Sequence, residues 1–296
     1  MPRVSGPTIS RWRLSNELSH LRVKSGRSYL DAAERLGCSE SKIRKLEAGE
    51  VGVARAELDS LLDLYKVDDD DLRNLLHDLQ KIGKQRGWWV PLGSMPKQYT
   101  SFVGLESEAH RVRMFEPLIV PGLLQTESYA SALDAMCTFS TPSEQKRAVQ
   151  IRIARQEKFW ADEADTDRSR LWVIVDEAAL RRPAGKDPSV MRGQLMRLLE
   201  LSDRFIFQVV PFEAGTYPGM VGSFTIFDFE EDIHSPVVYA DGQAGIAYLE
   251  KSADVERANL AFGHMAAVAL SPAQSARKVM AILSEMAKKQ GGENES

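Results

Sequence analysis

The amino-acid sequence predicts an all-α N-terminal domain of five helices, followed by a larger α+β domain. In the first 83 residues, apolar residues recur at the three- and four-residue spacing of a helical face. After residue 99, short runs rich in Val, Ile and Phe are interrupted by amphipathic segments. Strands that cluster late and alternate with helices favour an α+β domain over a doubly wound one. We therefore expect a helix-turn-helix domain at residues 1–83, a linker at 84–96 and a second domain at 97–296.

The N-terminal domain is organised around a pair of helices within residues 27–49. The first helix is predicted from Ser28 or Tyr29 to Leu36, and Gly37 ends it because glycine tolerates a positive φ. Ser39 then caps a second helix, in which Ile43 and Leu46 point inward, and Gly49 ends that helix. This pattern predicts helix, tight turn, helix.

Three more helices complete the predicted N-terminal domain, at residues 14–25, 55–65 and 72–82. Residues 1–10 are expected to form a frayed arm. The second helix of the pair is expected to expose a polar face of Glu40, Ser41, Lys42, Arg44 and Lys45. A short helix with such a face suits the major groove of DNA, although the same residues also fit a merely solvated face.

Charge is distributed unevenly along the chain. Residues 1–55 contain 11 Lys and Arg against 6 Asp and Glu, a net charge of +5, whereas residues 56–296 carry a net charge of −9. This partition concentrates affinity for nucleic acid at the N-terminus and leaves the second domain for another role.

Residues 22–49 resemble the helix-turn-helix of the phage-repressor, or xenobiotic-response-element, family of DNA-binding regulators. The resemblance implies that Arg22 and Glu47 form a structural ion pair and that Arg55 lies near the DNA backbone or minor groove. Tyr29 stands where many members carry a Gln that braces the recognition helix and contacts a phosphate; a tyrosine hydroxyl could also reach a phosphate. Side chains that the resemblance places at base edges or flanking phosphates are Ser39, Glu40, Ser41 and Lys45.

The linker contains the aromatic motif Arg86-Gly87-Trp88-Trp89. This motif could be a stacking platform for nucleic acid, but an aromatic pair at a domain boundary more often packs two domains together. We expect the packing role.

The second domain is predicted to contain the following elements. Strands are expected at residues 112–120, 170–175, 205–211, 223–229, 237–240 and 247–250, and helices at 123–136, 143–160, 189–201, 253–270 and 272–289. The loop at 215–222 is read as a hairpin connection, with a lid or ligand-binding loop as the alternative.

Several separated motifs in the second domain are similar to the WhiJ-like regulators of streptomycetes and their relatives. They include Val120-Pro121-Gly122-Leu123-Leu124-Gln125-Thr126-Glu127, Asp176-Glu177-Ala178-Ala179-Leu180-Arg181 and Gln208-Val209-Val210-Pro211. The resemblance implies a transcriptional regulator with a C-terminal domain of unassigned function. It also implies a small partner protein encoded nearby, in an antitoxin-like arrangement.

The sequence offers no enzyme motif that we recognise, and we predict no catalytic site, metal or cofactor. The adjacent carboxylates Asp176 and Glu177 could form a catalytic pair, but adjacent residues point apart and Asp176 suits a turn cap. The segment 121–126 could receive an anion or a partner's carboxylate at a helix start, with Gln125 and Thr126 as donors; ordinary capping is the alternative.

The expected function is a DNA-binding transcriptional regulator that acts as a homodimer on a double-stranded operator. Arg27, Arg44 and Arg55 are expected to contact phosphates, and Glu40, Ser41 and Lys45 to contact bases. The alternative is an antitoxin-like module whose main role is to bind a small partner protein. Two distant cysteines, Cys38 and Cys137, indicate no disulfide framework, and no apolar run reaches the roughly 18 residues of a membrane span. We therefore expect a cytoplasmic, nucleoid-associated protein.

Overall fold

The computed structural model describes residues 6–90, 95, 97–136, 141–161, 167–230, 234–242 and 245–293. They belong to two compact units. The first comprises the described residues of Met1–Glu108 and Glu230–His234, and the second those of Ala109–Phe229 and Ser235–Ser296. Cys137 and part of the predicted linker at 84–96 lie outside the described residues. The domain boundaries predicted from the sequence stay a prediction.

The first unit is helical, as the sequence predicts. Its helices are α1 (Pro7–Lys24), α2 (Tyr29–Leu36), α3 (Glu40–Glu47), α4 (Arg55–Leu64), α5 (Asp70–Gly83) and α6 (Lys97–Glu108). Leu18, Ile43, Leu58 and Leu62 are completely buried in one core with residues from α1 to α5. The apolar stripes of these short helices therefore face a common centre, as their spacing requires.

The N-terminal end of α1 differs from the expected frayed arm. Helix α1 begins at Pro7, and Thr8, Ile9 and Ser10 are buried. The backbone N–H groups of Thr8 and Ile9 each donate to the Glu108 carboxylate, at 2.8 Å. The prediction was wrong from Pro7 onward, because the acceptor for this helix start lies 100 residues away in the sequence.

The connection between α2 and α3 has the predicted form. Gly37 adopts φ of 62°, in the left-handed region, and the Cys38 N–H donates to the Ala33 carbonyl at 2.9 Å. Ser28 and Asp31 form a capping box at the start of α2, and the Ser39 hydroxyl accepts from the Lys42 N–H at the start of α3. The helix pair is thus defined at both ends by local hydrogen bonds.

The second unit is built on a six-stranded mixed sheet with strand order β3-β2-β1-β4-β5-β6. The strands are β1 (Arg111–Glu116), β2 (Leu171–Asp176), β3 (Ile206–Val210), β4 (Phe224–Asp228), β5 (Val237–Gly242) and β6 (Gly245–Leu249). Strands β1, β2 and β3 are parallel, whereas β4, β5 and β6 pair antiparallel to their neighbours. The sequence prediction of an α+β domain is confirmed.

The second unit also contains helices. They are α7 (Glu127–Asp134), α8 (Pro142–Trp160), α9 (Glu177–Arg181), α10 (Pro188–Glu200), α11 (Ser252–Val268) and α12 (Pro272–Glu293). Phe262 and Met265 of α11 are buried against Phe115, Ile174 and Ile226 of the sheet. The edge of β3 is covered, because the Val209 N–H donates to the Ser275 hydroxyl of α12 and the Val209 carbonyl accepts from Leu270 N–H.

Three predictions for the second domain were wrong in detail. The strand predicted at 112–120 ends at Glu116, directly before Pro117. The helix predicted at 123–136 is instead a 3-10 turn at Gly122–Leu124 followed by α7, because Thr126 caps a new helix by accepting from the Tyr129 N–H. The loop at 215–222 is not a hairpin: it joins β3 to β4, which are separated in the sheet by β2 and β1.

The two linker tryptophans make contacts inside the first unit. The Trp88 Nε1–H donates to the Ser107 hydroxyl at 3.0 Å, and the Trp88 and Trp89 rings meet edge to face. The interdomain role predicted for this pair stays a prediction. Across the part of the chain that the structure describes, no helix has the length and apolarity to cross a membrane.

Candidate DNA-binding surface

Helix α3 presents a polar face because its two apolar residues turn inward. Ile43 and Leu46 are 0% and 2% exposed and lie in the core of the first unit. On the opposite side, the side chains exposed to solvent are those of Ser39, Glu40, Ser41, Arg44 and Lys45. This grouping brings together most of the residues that the sequence predicted to contact DNA.

The C-terminal end of α3 is fixed to α1 by an ion pair between Arg22 and Glu47. Arg22 Nε and Nη2 donate to the two Glu47 carboxylate oxygens at 2.6 and 2.9 Å, and its Nη1 donates to the Arg27 carbonyl at 3.1 Å. Both side chains are nearly buried. The hydrogen bond to Glu47 raises the pKa of Arg22 above its ordinary value. This two-bond geometry sets the direction of α3 as well as its position.

Tyr29 lies between two guanidinium groups. The Arg22 Cζ atom is 3.8 Å from the centre of the Tyr29 ring, and the Arg44 Cζ atom is 3.9 Å from it. Cations over an aromatic face are attracted by its negative quadrupole. The first residue of α2 thereby links α1 to the exposed face of α3, and the Tyr29 ring braces α3 by stacking. The sequence lacked any local signal for this contact, because it joins residues from three helices.

Lys42 is engaged in the first unit and does not extend freely from α3. Its Nζ lies 2.5 Å from Glu57 Oε1, and the other Glu57 oxygen accepts from the Ala54 N–H at the start of α4. The hydrogen bond from Lys42 lowers the pKa of Glu57 below its ordinary value. The ion pair therefore connects α3 to the residue that satisfies the first N–H group of α4.

The remaining predicted residues flank α3. Arg55 is exposed at the first position of α4, and Arg27 is partly buried in the turn before α2. Arg44 donates to the Glu40 carboxylate one turn away, at 3.3 Å. The exposed face consequently combines cationic side chains with the Glu40 carboxylate, which the hydrogen bond from Arg44 orients.

The segment 121–126 is held by a network of three glutamine amides. Gln125 is 3% exposed, and its amide donates to the Val120 carbonyl at 2.7 Å. The Thr126 N–H donates to the Gln194 Oε1 at 2.8 Å, and the Gln156 amide donates to the carbonyls of Gly122 and Gln125. These bonds supply partners for an irregular backbone, as buried polar groups require. These internal bonds favour an ordinary helix-capping role for the segment 121–126 over a site that binds an anion.

The adjacent carboxylates at the end of β2 are both engaged in internal bonds. Asp176 caps α9 by accepting from the Ala178 N–H and also accepts from the Tyr217 hydroxyl. Glu177 is 1% exposed and is bonded to Arg181 and Lys278. The two side chains diverge, in agreement with the capping role expected for Asp176.

Comparison with known families defines both parts of the chain. A family model described as a domain of unknown function (DUF5753) matches residues 99–280, more than half of the 296 residues. The chain belongs to the DUF5753 family. A second model, described as a helix-turn-helix domain, matches residues 13–76. No curated protein and no solved structure matches the chain.

The two matches cover different parts of the structure. The helix-turn-helix match extends from Arg13 in α1 to Leu76 in α5 and includes the whole exposed face of α3. It indicates DNA binding and a role in transcription regulation. The DUF5753 match contains the sheet and the glutamine network, and its description assigns no activity.

Proposed function

We propose that this DUF5753 protein is a sequence-specific transcriptional regulator that binds double-stranded DNA through α3. The observation that carries the proposal is the exposed polar face of α3, which is fixed to the rest of the helix-turn-helix by the Arg22–Glu47 ion pair and the Tyr29 stack. A reading helix must hold its side chains in register with base edges, and these contacts supply that rigidity.

The exposed residues take distinct roles in the proposed complex. Lys45 donates to a guanine, Glu40 accepts from the amino group of a cytosine, and Ser41 adds a hydroxyl contact. Phosphates are met by Arg27, Arg44, Arg55 and the Tyr29 hydroxyl, with Ser39 at the helix start. Lys42 contributes charge to this surface while it remains paired with Glu57.

The proposed regulator acts as a homodimer in the cytoplasm, associated with the nucleoid. A single helix reads few base pairs, and helix-turn-helix dimers gain specificity by placing two such helices on a two-fold operator. We also propose that the chain is of the xenobiotic-response-element and WhiJ-like type, because the helix-turn-helix precedes a domain that carries the motifs quoted above.

A small partner protein is the second candidate interaction of the DUF5753 domain. The loop between β3 and β4 exposes large apolar side chains, with Phe212, Met220 and Val221 at 57%, 59% and 95% exposure. Contiguous exposed apolar patches are typical of protein-binding surfaces, and these three side chains belong to one loop. In the antitoxin-like alternative, this contact is the main role of the chain. Stoichiometric co-purification of a small protein with the full chain, abolished by Val221→Asp, is the result expected for this role.

Selection of duplexes from a random pool with the full-length chain tests the main proposal. We expect enrichment of a two-fold symmetric sequence, bound much more tightly than scrambled DNA at the same ionic strength. Affinity should fall as salt rises, because phosphate contacts release counterions. Recovery of unrelated sequences, bound equally well, would show that the chain binds DNA without reading it.

A further inference from the structure

The second unit contains a cavity of about 350 Å³ between α9, the start of α10 and α12. Its apolar wall is formed by Leu180, Met191, Ile282 and Met286, and its solvent-exposed polar lining comes from Arg181, Lys186, Asp187 and Glu285. The volume lies at the lower end of the roughly 300–1,000 Å³ of small-molecule sites. The cavity therefore has the size and lining of a site for a small, mainly apolar ligand.

The walls of this cavity are held in place by contacts between residues of the protein itself. The loop from α9 to α10 is anchored by buried Ala184 and turns at Gly185, which has φ of 73°. Asp187 then caps α10 by accepting from the Ser189 N–H at 2.8 Å. Across the cavity, Arg181 Nη1 lies 2.6 Å from Glu285 Oε2 and ties α9 to α12. A preformed site of this kind loses little free energy to reorganisation on binding.

The charges around the opening are not equivalent. Arg181 is paired with Glu177 and Glu285, and the Asp187 carboxylate caps α10, where the positive end of the helix dipole offsets part of its negative charge. Lys186 is exposed beside the opening, and among the described residues its ammonium group has no ion-pair or hydrogen-bond partner. The apolar wall and this available cation favour a ligand with an apolar body and one negative charge.

We propose that the cavity binds a small amphiphilic carboxylate, with its apolar body against Leu180, Met191 and Ile282 and its carboxylate beside Lys186. This inference names a ligand class for the DUF5753 domain, and its regulatory meaning rests on the proposed function. Met286 adds a flexible thioether to the wall, which suits ligands of varied shape.

Calorimetric titration of the full-length chain with butanoate, hexanoate and octanoate tests the proposal directly. We expect one site per chain and an affinity that rises about fourfold for each methylene that becomes buried. Octanol, which has the same tail without the charge, should bind more weakly than octanoate, and octylamine should bind most weakly. Absence of saturable octanoate binding, or stronger binding of octylamine, would overturn the proposal.

Two variants locate the binding in this cavity. Lys186→Gln should weaken octanoate binding by up to about fivefold, the range for an exposed ion pair, and leave octanol binding unchanged. Lys288→Gln, which removes an exposed charge from α12 outside the cavity lining, is the matched control and should change neither. Met286→Glu should abolish octanoate binding by placing a like charge against the ligand, with folding checked by thermal melting. Equal octanoate affinity of Lys186→Gln, Met286→Glu and the Lys288→Gln control would show that octanoate binds outside this cavity, and would contradict the proposal.

These titrations contain no DNA, so their failure is distinguishable from failure of the DNA-binding proposal. Carboxylate binding without selective DNA binding would retain the ligand site and remove its role in transcription. Selective DNA binding without carboxylate binding would support the proposed DNA-binding function and overturn the ligand site.

Discussion

Tyr29 shows how one side chain can support helix α3 by a contact that the sequence does not suggest. In the phage-repressor family that residues 22–49 resemble, many members carry Gln at this position. Here the ring lies between Arg22 and Arg44, at 3.8 and 3.9 Å from their Cζ atoms. The aromatic residue thus links the buried ion pair of α1 to the exposed face of α3.

At this position we predict different effects for loss of the ring and loss of the hydroxyl. Tyr29→Ala should lower the free energy of unfolding by about 1–2 kcal/mol, since each exposed cation–π contact contributes about 0.5–1 kcal/mol. Tyr29→Phe retains both stacks and should leave stability nearly unchanged, while weakening DNA binding if the hydroxyl meets a phosphate. Chemical denaturation and DNA titration of both variants provide the test. Equal free energies of unfolding for the Ala and Phe variants would show that the ring does not stabilise the helix-turn-helix.

At the scale of elements, α3 is fixed at three places along its length. Glu47 pairs with Arg22 of α1 at its C-terminal end, Arg44 stacks on Tyr29 near its middle, and Lys42 pairs with Glu57 of α4 in its first turn. Since the tethers reach three different helices, they constrain both the position and the rotation of the exposed face.

We predict that the Lys42–Glu57 tether gives the molecule a measurable acid sensitivity. The pKa of Glu57 is lower in the folded chain than its ordinary value of 4.5, chiefly through the hydrogen bond from Lys42. The stabilisation is therefore fully present above pH 4.5 and is lost as the pH falls through the folded-state pKa. Glu57→Gln should reduce stability by about 0.2–1 kcal/mol near pH 7, because the pair is partly exposed, and by less in acid.

Thermal melts of wild type and Glu57→Gln across this pH range measure the difference directly. Lys45→Gln, which changes an exposed charge of α3 that has no described ion pair, serves as the comparison. A stability difference between wild type and Glu57→Gln that does not shrink in acid would contradict the assigned role of the ion pair.

At the scale of the whole molecule, the first unit includes residues 97–108, which the sequence assigned to the second domain and for which it predicted no helix. Helix α6 ends at Glu108, whose carboxylate accepts from the N–H groups of Thr8 and Ile9 at the start of α1. Burial raises the pKa of Glu108, and these backbone bonds favour its charged form. An anion at this place complements the positive end of the α1 dipole.

A fragment of residues 1–108 should consequently be more stable than a fragment of residues 1–83. The shorter fragment lacks α6, so it loses the packing of α6 against α1 and the hydrogen bonds from Thr8 and Ile9 to Glu108. Glu108→Ala in the longer fragment leaves these N–H groups buried without an acceptor and should therefore cost about 1–3 kcal/mol of the gain. Urea denaturation of the three proteins checks this, and identical midpoints would place the boundary near residue 83, as the sequence predicts.

The sequence predicted those features that depend on residues close to one another in the chain, and it missed features that depend on distant residues. Gly37 and Ser39 act on neighbouring residues, so the helix pair was predictable, and the spacing of Ile43 and Leu46 indicated the buried side. The start of α1 depends on Glu108, and the stacking on Tyr29 depends on Arg44, so neither has a local pattern.

In the second unit, composition indicated a segment for each of the strands β1 to β6 but could not give their order. Insertion of β1 and β2 between β3 and β4 turned an apparent hairpin into a longer connection. The cavity beside Lys186 is likewise formed by segments about 100 residues apart, so no motif in the sequence marks it.

The claim that α3 reads DNA sequence is tested most directly by the affinity of Lys45→Ala for a selected operator and for scrambled DNA. We predict a loss of about 1–3 kcal/mol on the operator, or about 5-fold to 150-fold, with relaxed preference at one base pair and little change on scrambled DNA. Lys81→Ala removes an exposed charge from α5 and should not alter the preference. Equal losses on both DNAs for Lys45→Ala, or no loss on either, would contradict base reading by this residue.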